Sequence, residues 1–301
     1  MKEILMSRRN VWSVLLILIG WASLAVPASA QHFQQVNGTL TSVSAGRNEV
    51  FGFDTHARVW RLNPKTNSFD KIKNVLLDDI AVGGGTVYQL DEVWGIDASL
   101  NVYRFNYTTK AFDQIPGAAL SQITVGLGNE DQCHPYEVWG VSAIQEVFRY
   151  DYCSNQFNQS PGSFLTQIAT GGGDVWGIIT GQIYHYSFGQ EKFVQIPGTL
   201  TQIAVGVNDV WGVNGSNNDY NVYRYDPAGG VFNRIGGSTA QVAAGGDGVW
   251  IIDTSDNVWR FDSSAESFLQ VTGALNSIAV GSGTGVFGVS SSDQVFTFVR
   301  P

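Results

Sequence analysis

Internal repetition constrains this chain more than any other feature of its sequence. Four short segments recur seven times between residues 33 and 298. The clearest copy reads Phe-Val-Gln-Ile-Pro-Gly at 193–198, Leu-Thr-Gln-Ile-Ala-Val-Gly at 200–206, Val-Trp-Gly-Val at 210–213 and Val-Tyr-Arg-Tyr at 222–225. Each segment is rich in β-branched and aromatic residues and is bounded by Gly, Asn, Asp or Ser. Each therefore predicts a short strand followed by a turn.

The seven copies keep aromatic residues at two positions. The first segment begins with Phe33, Phe69, Phe112, Phe157, Phe193, Phe232 and Phe268, and the third carries Phe51, Trp94, Trp139, Trp176, Trp211, Trp250 and Phe287. Neighbouring strand residues such as Val210 and Trp211 point to opposite faces, so both faces of each sheet must be covered. Stacked four-stranded units achieve this, either in a propeller or in a solenoid of sheets.

The two ends of the chain favour the propeller. The last copy stops after its third strand at Phe298, and the first begins with an unmatched strand at 33–36. Pairing that N-terminal strand into the last blade would hide two open strand edges. We therefore predict an all-β fold: a seven-bladed β-propeller of four-stranded antiparallel blades, closed by the N-terminal strand.

Residues 1–30 predict a secretory signal peptide. Lys2, Arg8 and Arg9 precede an apolar run at 11–26 and the small-residue ending Ala-Ser-Ala at 28–30. This pattern is typical of cleavage before Gln31, although a retained anchor is the alternative. Residues 31–301 are then expected to form a single domain, secreted or periplasmic, with no membrane insertion after cleavage.

The charge balance argues against polyanionic partners. Without residues 1–30 the chain would have 14 Lys and Arg against 25 Asp and Glu, a net charge of −11. Such a surface repels phosphate backbones and anionic lipid headgroups, so we expect neither nucleic acid nor a membrane surface as partner.

The four-segment repeat resembles the tectonin repeat, which is known from tachylectin-type and fish-egg lectins. The resemblance covers about residues 33 to 298. It implies a propeller, and it implies binding of glycans or microbial surface carbohydrate, as in several members. This chain departs from the lectins by having seven copies that open with Phe, so sugar specificity does not carry over. Other members act as interaction platforms.

Two recurrent rows have a structural and a ligand-binding interpretation. Trp94, Trp139, Trp176, Trp211 and Trp250 lie in mid-strand, with glycine next in all but the last, and this favours core packing between blades over sugar stacking. The fourth segment places Arg61, Arg104, Arg149, His185, Arg224, Arg260 and Thr297 at one position. These cations could stack on a neighbouring ring or pair with a carboxylate, and repeated ligand clamps are the alternative.

The loops between the third and fourth segments are the first choice for exposed ligand contacts. Their polar residues include Asp97, Asn101, Asn214, Asp219, Asp253 and Asp256. Short polar side chains suit sugar hydroxyls, but tight turns need the same residues, and the turn interpretation is favoured.

Cys133 and Cys153 are the only cysteines, and an exported chain predicts a structural disulfide between them. The four histidines show no metal-ligand spacing, and no catalytic or phosphate-binding motif occurs, so we predict no enzyme, no metal and no cofactor. An active site in a central channel would need clustered acidic, His or Arg side chains there.

These observations predict a secreted, non-enzymatic, lectin-like protein with repeated shallow sites for a glycan or cell-surface polysaccharide. The alternative is a scaffold that binds a protein partner and no sugar.

Overall fold

The computed structural model describes residues 31–215 and 220–300, except for the side chains of 129–131. The predicted signal peptide and Asp219 lie outside the described residues. Every regular element in the described part is a β-strand. Within it, no helix is long and apolar enough to cross a membrane.

The strands pair into four-stranded antiparallel sheets that follow the repeat. Sheet 1 comprises β2 (Ser42–Ala45), β3 (Val50–Phe53), β4 (Arg58–Asn63) and β5 (Ser68–Leu76). Sheet 2 comprises β6 (Asp79–Gly83), β7 (Glu92–Ile96), β8 (Asn101–Asn106) and β9 (Ala111–Ala119). Sheet 3 comprises β10 (Gln122–Asp131), β11 (His134–Val141), β12 (Glu146–Asp151) and β13 (Gln156–Phe164).

The next three sheets repeat this order. Sheet 4 comprises β14 (Gln167–Gly171), β15 (Asp174–Ile179), β16 (Gln182–Ser187) and β17 (Lys192–Thr199). Sheet 5 comprises β18 (Gln202–Val205), β19 (Val210–Asn214), β20 (Asn221–Asp226) and β21 (Val231–Gly236). Sheet 6 comprises β22 (Gln241–Gly245), β23 (Gly248–Ile252), β24 (Asn257–Asp262) and β25 (Ser267–Ala274).

Sheet 7 joins the two ends of the chain. It comprises β26 (Ser277–Val280), β27 (Val286–Val289), β28 (Gln294–Val299) and the N-terminal strand β1 (His32–Thr39). β1 runs antiparallel to β28, with Phe33 opposite Phe298 and Val36 opposite Val295. The N-terminal strand therefore hydrogen-bonds to the edge that the last repeat leaves open.

Aromatic rings join each sheet to the next. Trp139 packs at an edge-to-face angle against Tyr186 and Phe193 of sheet 4, with ring centroids 4.7 and 5.8 Å apart. Trp250 makes the same contacts with Phe298 and with Phe33 of β1, at 4.6 and 5.8 Å. The five tryptophans of this row are at most 1% exposed. The row therefore forms the core between sheets, and its rings are not available for sugar stacking.

A second repeated contact explains the glycine that follows most of these rings. We call the first strand of each sheet (β2, β6, β10, β14, β18, β22 and β26) its inner strand. In six sheets the connection into the inner strand carries a buried leucine, and a Cβ added to the glycine would overlap that leucine side chain. The pairs are Gly52–Leu40, Gly95–Leu77, Gly140–Leu120, Gly177–Leu165, Gly212–Leu200 and Gly288–Leu275. In sheet 6 the sizes are exchanged, because Ile251 replaces the glycine and buried Thr239 replaces the leucine. The one exception to the glycine therefore coincides with the one exception to the leucine, and compensation between the two volumes is the physical expectation.

The inner strands are also linked by side-chain amides. Gln122 Oε1 accepts from Ile168 N of the next sheet at 2.9 Å, and Gln202 Oε1 accepts from Val242 N at 2.8 Å. Asp79 holds the equivalent position in sheet 2, where burial raises its pKa against the opposing effect of backbone N–H donors. These bonds satisfy inner-strand N–H groups that have no backbone partner on that side.

Candidate functional site

The predicted polar loops are tight turns whose carboxylates bond within the loop. Asp253 Oδ1 accepts from Ser255 N and Asn257 N at 2.8 and 3.0 Å. Asp253 Oδ2 accepts from Asn257 Nδ2 and from Trp259 Nε1, both at 3.0 Å. Asp97 bonds in the same way to Ser99 N, to both nitrogens of Asn101 and to Tyr103 Oη. The turn interpretation therefore accounts for these carboxylates, and each turn also fixes an aromatic side chain two strand positions farther on.

The hydrogen bonds outweigh the cost of removing these carboxylates from water. Partial desolvation raises the pKa of Asp97. Hydrogen bonds donated by Asn101, Tyr103 and Ser99 lower it by a larger amount, so the net shift of the pKa is downward. The pKa values of Asp253 and of Asp54 in sheet 1 are lowered for the same reasons. All three side chains are therefore anionic hydrogen-bond acceptors at neutral pH.

The remaining predicted residues are placed separately. Asp256 has a φ of 64° and donates its N–H to Asp253 O, so it supplies the left-handed position of the turn. Its carbonyl accepts from Leu275 N, which fixes the loop to the next connection. Asn214 Nδ2, at the end of β19 in sheet 5, donates to Thr199 Oγ1, at the end of β17 in sheet 4, at 3.2 Å. The structure brings together Asp97 with Asn101 and Asp253 with Asp256, each pair within its own sheet.

Two grooves open beside these turns, between neighbouring sheets. The first, of about 290 Å³, lies between β1 and sheet 1 and is lined by Gly38, Asp54, Arg58, Trp60 and Phe69 among others. Trp60 Nε1 donates to Asp54 Oδ2 at 3.0 Å, and Arg58 Nε donates to the same oxygen at 2.7 Å. The indole is therefore held edge-on to the carboxylate while part of its ring remains accessible.

The second groove has the same construction between sheets 5 and 6. It measures about 380 Å³ and is lined by Gly236, Gly237, Asp253, Trp259 and Phe268 among others. Trp259 occupies the position of Trp60, and Asp253 that of Asp54. Each groove thus has an aromatic ring, a carboxylate and glycine residues in its lining. Sequence reasoning missed this aromatic row, although an aromatic after each Val or Ile of the fourth segment was visible in the repeat.

At the other end of the sheets, carboxylates pair with the recurrent cations. Arg104 Nε and Nη2 donate to the two oxygens of Glu92 at 2.7 and 2.6 Å, and Trp94 Nε1 donates to Glu92 Oε2 at 2.9 Å. Arg149, Glu137 and Trp139 repeat this arrangement in sheet 3. We call the arrangement the carboxylate–indole–guanidinium triad. It gives the arginine row a structural role, because each guanidinium also lies over its ring, 5.6 Å from the Trp94 centroid and 5.4 Å from the Trp139 centroid.

The triad is complete in sheets 2 and 3 and altered in sheets 1, 4 and 5. Sheet 1 pairs Arg61 with Glu49 over Phe51, and sheet 4 substitutes His185 and Asp174 at 2.7 Å. In sheet 5 the shorter Asp209 lies 3.8 Å from Arg224, and Trp211 Nε1 is buried without a hydrogen-bond partner. An acidic residue two positions before the aromatic ring was the sequence signal for this pairing, and sequence reasoning missed it.

The central space between the inner strands is lined by small and β-branched residues. Its volume is about 720 Å³, and Gly, Ala, Val and Thr dominate the lining. Arg47 is the charged residue of that lining, and no Asp, Glu or His of the described residues contributes to it. The described lining therefore offers no side-chain pair for general acid–base chemistry.

The β6–β7 turn, at the same end of the sheets as the triad, is enlarged and carries apolar side chains. Val87, Tyr88 and Leu90 are 68%, 95% and 54% exposed. The loop is anchored by buried Asp91, whose carboxylate accepts four backbone N–H groups at 2.6–3.0 Å, three of them from residues 47–49 of sheet 1. A rigid base therefore presents an exposed apolar tip.

Cys133 and Cys153 form a disulfide with Cα atoms 5.0 Å apart. It joins the β10–β11 hairpin to the turn after β12, two loops that lie at the same end of sheet 3. Asp151 lies near both sulfurs, but the bonded cysteines offer no thiolate to a metal.

A sequence model of the Tectonin domain matches residues 19–186, 86–223 and 215–300. No curated protein matches the chain significantly. Among solved structures, that of RRP9 WD40 repeats has a TM-score of 0.63 at 12% identity, covering 90% of this chain and 98% of that one. A structure described as YCF48 bound to D1 peptide has a TM-score of 0.66 at 10% identity, covering 92% and 99%. At these identities the likeness shows the fold alone, which is all-β and propeller-like.

Proposed function

Because the chain belongs to the tectonin domain family, we propose that it is a secreted, non-enzymatic carbohydrate-binding protein. Its seven sheets are the blades of a closed propeller, completed by pairing of β1 with β28. Closure is supported by contacts between the first and last repeats, where Ser282 N donates to Gly46 O at 3.0 Å and Phe287 shares a core cluster with Phe69.

The observation that carries the proposal is the repeated groove between sheets. In both copies a partly accessible indole stands beside an anionic carboxylate that accepts its N–H. Sugar rings bind proteins through their C–H faces on aromatic rings and through hydroxyls donated to fixed acceptors. Trp60 and Trp259 supply the aromatic face, which Asp54 and Asp253 hold in position through the indole N–H, and the hydroxyls of Thr55 and Ser255 line the same grooves.

Repetition would compensate for weak individual sites. Each groove is open, so a single sugar would bind with low affinity. Two grooves on one rigid protein would bind a polysaccharide or cell surface with much higher avidity, provided that the ligand spans them. Export fits this role, and the disulfide is of the kind that persists in an oxidising compartment.

A glycan-array screen of residues 31–301, including methylated sugars and bacterial surface polysaccharides, tests the proposal. We expect binding by the folded protein and none by a heat-unfolded sample. Trp60→Ala and Trp259→Ala should each weaken binding, and the double variant should abolish it. Tyr88→Ala is the matched control, because it removes an exposed aromatic ring outside both grooves. Failure of every sugar class to bind the folded protein would refute the proposal.

A second candidate function is a protein-interaction scaffold, favoured by the apolar loop at 84–91. Its exposed Val87, Tyr88 and Leu90 form a protruding contact of the kind that anchors protein interfaces. The YCF48 neighbour, described as bound to a peptide, gives one precedent for such binding by this fold. Co-purification of a stable partner that Tyr88→Ala and Leu90→Ser release, and that Trp60→Ala does not, would favour this function over sugar binding.

A further inference from the structure

Sheet 6 keeps the guanidinium and the indole of the triad but lacks its carboxylate. Gly248 stands where sheets 1 to 5 have Glu or Asp two positions before the aromatic ring. Arg260 still lies over Trp250, with its guanidinium carbon 5.9 Å from the ring centroid. Arg260 Nε is buried and has no hydrogen-bond partner. A buried N–H on a charged group without an acceptor is costly, so this atom is poised to bind one.

Gly248 brings no side chain to the place that the carboxylate fills elsewhere. A Cβ placed on Gly248 would have Trp250 Nε1 and Arg260 Nε as its nearest neighbours, at 3.9 and 4.0 Å. Trp250 Nε1 donates instead to the backbone carbonyl of Asp247 at 3.3 Å. Gly248 also has a φ of 103°, a conformation that disfavours any side chain at this position. The chain therefore cannot easily supply the missing group itself.

A pocket of about 190 Å³ lies beside Arg260. Arg260 lines it together with Gln31, Phe261, Asp262, Ser263 and Leu269. The pocket lies at the β24–β25 turn, whereas the Trp259 groove lies at the β23–β24 turn at the opposite end of the same sheet. The two features are therefore separate sites, and an inference about one does not rest on the other.

The neighbouring charges do not neutralise Arg260. Asp262 Oδ1 accepts from Ser264 N and Ala265 N, and no carboxylate of the described residues lies within ion-pair distance of Arg260. Asp247 Oδ2 accepts from Gly285 N, and its Oδ1 lies 3.4 Å from Arg300 Nη2. Arg300 also occupies the position at which sheets 3 and 4 carry Tyr152 and Phe188 over the neighbouring arginine. The interface between sheets 6 and 7 thus has an additional cation where the interfaces of sheet 2 with sheet 3 and of sheet 3 with sheet 4 have an aromatic ring.

We propose that Arg260 binds the carboxylate of a small ligand in place of the glutamate that sheets 1, 2 and 3 provide internally. The Nε and Nη2 edge of the guanidinium would donate to the two carboxylate oxygens, as Arg104 donates to Glu92. The planar, bidentate geometry of these internal pairs selects a carboxylate over a point-like anion.

NMR of the arginine Nε–H groups in residues 31–301 tests the proposal directly, with acetate as the probe. We expect a saturable shift of the Arg260 Nε–H signal, assigned by its loss in Arg260→Lys. The Arg104 Nε–H signal, already bonded to Glu92, is the internal control and should not move. Sodium chloride at equal ionic strength and neutral glucose should leave the Arg260 signal unchanged. Glucuronate and N-acetylglutamate then distinguish a sugar acid from an acidic peptide as the source.

Affinity measurements on variants complete the test. Arg260→Gln should weaken carboxylate binding by about tenfold or more, the loss expected for a hydrogen-bonded charge pair. Arg224→Gln, at the same position of sheet 5, should leave the affinity unchanged. An Arg260 signal that does not respond to any carboxylate, or that shifts equally with chloride, would overturn the proposal even if the Gln variant failed to fold. A negative glycan array with a positive acetate titration would remove the sugar proposal and leave this site standing.

Discussion

The exchange of sizes between Gly212–Leu200 in sheet 5 and Ile251–Thr239 in sheet 6 gives a prediction that can be worked from the structure. A Cβ on Gly212 would lie 2.9 Å from both Leu200 Cδ2 and Gln202 O, so Gly212→Ile overpacks the site and should cost about 1–3 kcal/mol. Leu200→Thr truncates a side chain that is 1% exposed and should cost about 2–5 kcal/mol, in the range of buried leucine truncations.

The double variant reproduces the natural pair of sheet 6. The shorter side chain of Leu200→Thr would vacate the volume that the larger side chain of Gly212→Ile enters, so the two costs should not add. We expect the double variant to be more stable than the sum of the single variants by at least about 1 kcal/mol, within the range observed for residues in contact.

The measurement is urea unfolding of the wild type, the two single variants and the double variant, followed by tryptophan fluorescence and extrapolated to water. Leu200→Thr combined with Gly140→Ile is the matched control, because that glycine packs on Leu120 of another sheet. The control pair should be additive within about 0.5 kcal/mol. Equal additivity in both pairs would refute the reasoning that the exchange in sheet 6 is a packing compensation.

The triad, the disulfide and the turns each give a further prediction. Glu137→Gln should lower the free energy of unfolding by about 3–5 kcal/mol, because the Glu137 side chain is 0% exposed and Arg149 would lose its charged partner. Asp113→Asn, at an exposed residue, is the control, and an equal loss from it would contradict this. Cys133→Ser with Cys153→Ser should cost about 3 kcal/mol in the same assay, since the bond closes a 20-residue separation, and reduction of the wild type should reproduce the loss. The pKa of Asp97 is lowered below its ordinary value of 3.8, so its contribution to the free energy of unfolding is fully present above pH 3.8 and is lost as the pH falls through the lower folded-state pKa. An Asp97→Asn protein whose unfolding is as acid-sensitive as that of the wild type would contradict this.

The repeat made most of the fold predictable from the sequence. A period of four short apolar segments specifies four strands per unit, and the double-sided apolar pattern requires neighbouring units to cover each other. The mid-strand position of Trp139 and Trp176 predicted their burial for the same reason. The cysteine pair and the turn role of Asp97 also followed from local chemistry, since export favours disulfides and short acidic side chains cap turns.

The candidate sites could be predicted only in part, because each is built from residues that are distant in sequence. Trp60 is one of seven equivalent aromatics, and only the placement of Gly38 from β1 beside it creates the groove. The loop residues that we selected, such as Asp253, contribute through their bonds to an indole and not as free ligands. Periodicity describes what the repeats share, and therefore says little about where one copy differs.

The sequence by itself determined the strand pattern, the number of repeats and the residue types at each position, because these depend on local propensity and on burial of one face against another. Only the tertiary structure decided which partner each side chain meets. It bonded Thr239 Oγ1 to Ile252 O, gave Glu137 to Arg149, and left Arg260 facing Gly248 without a carboxylate. Those outcomes depend on packing and hydrogen bonding between strands and sheets, whose geometry the linear order of residues does not specify.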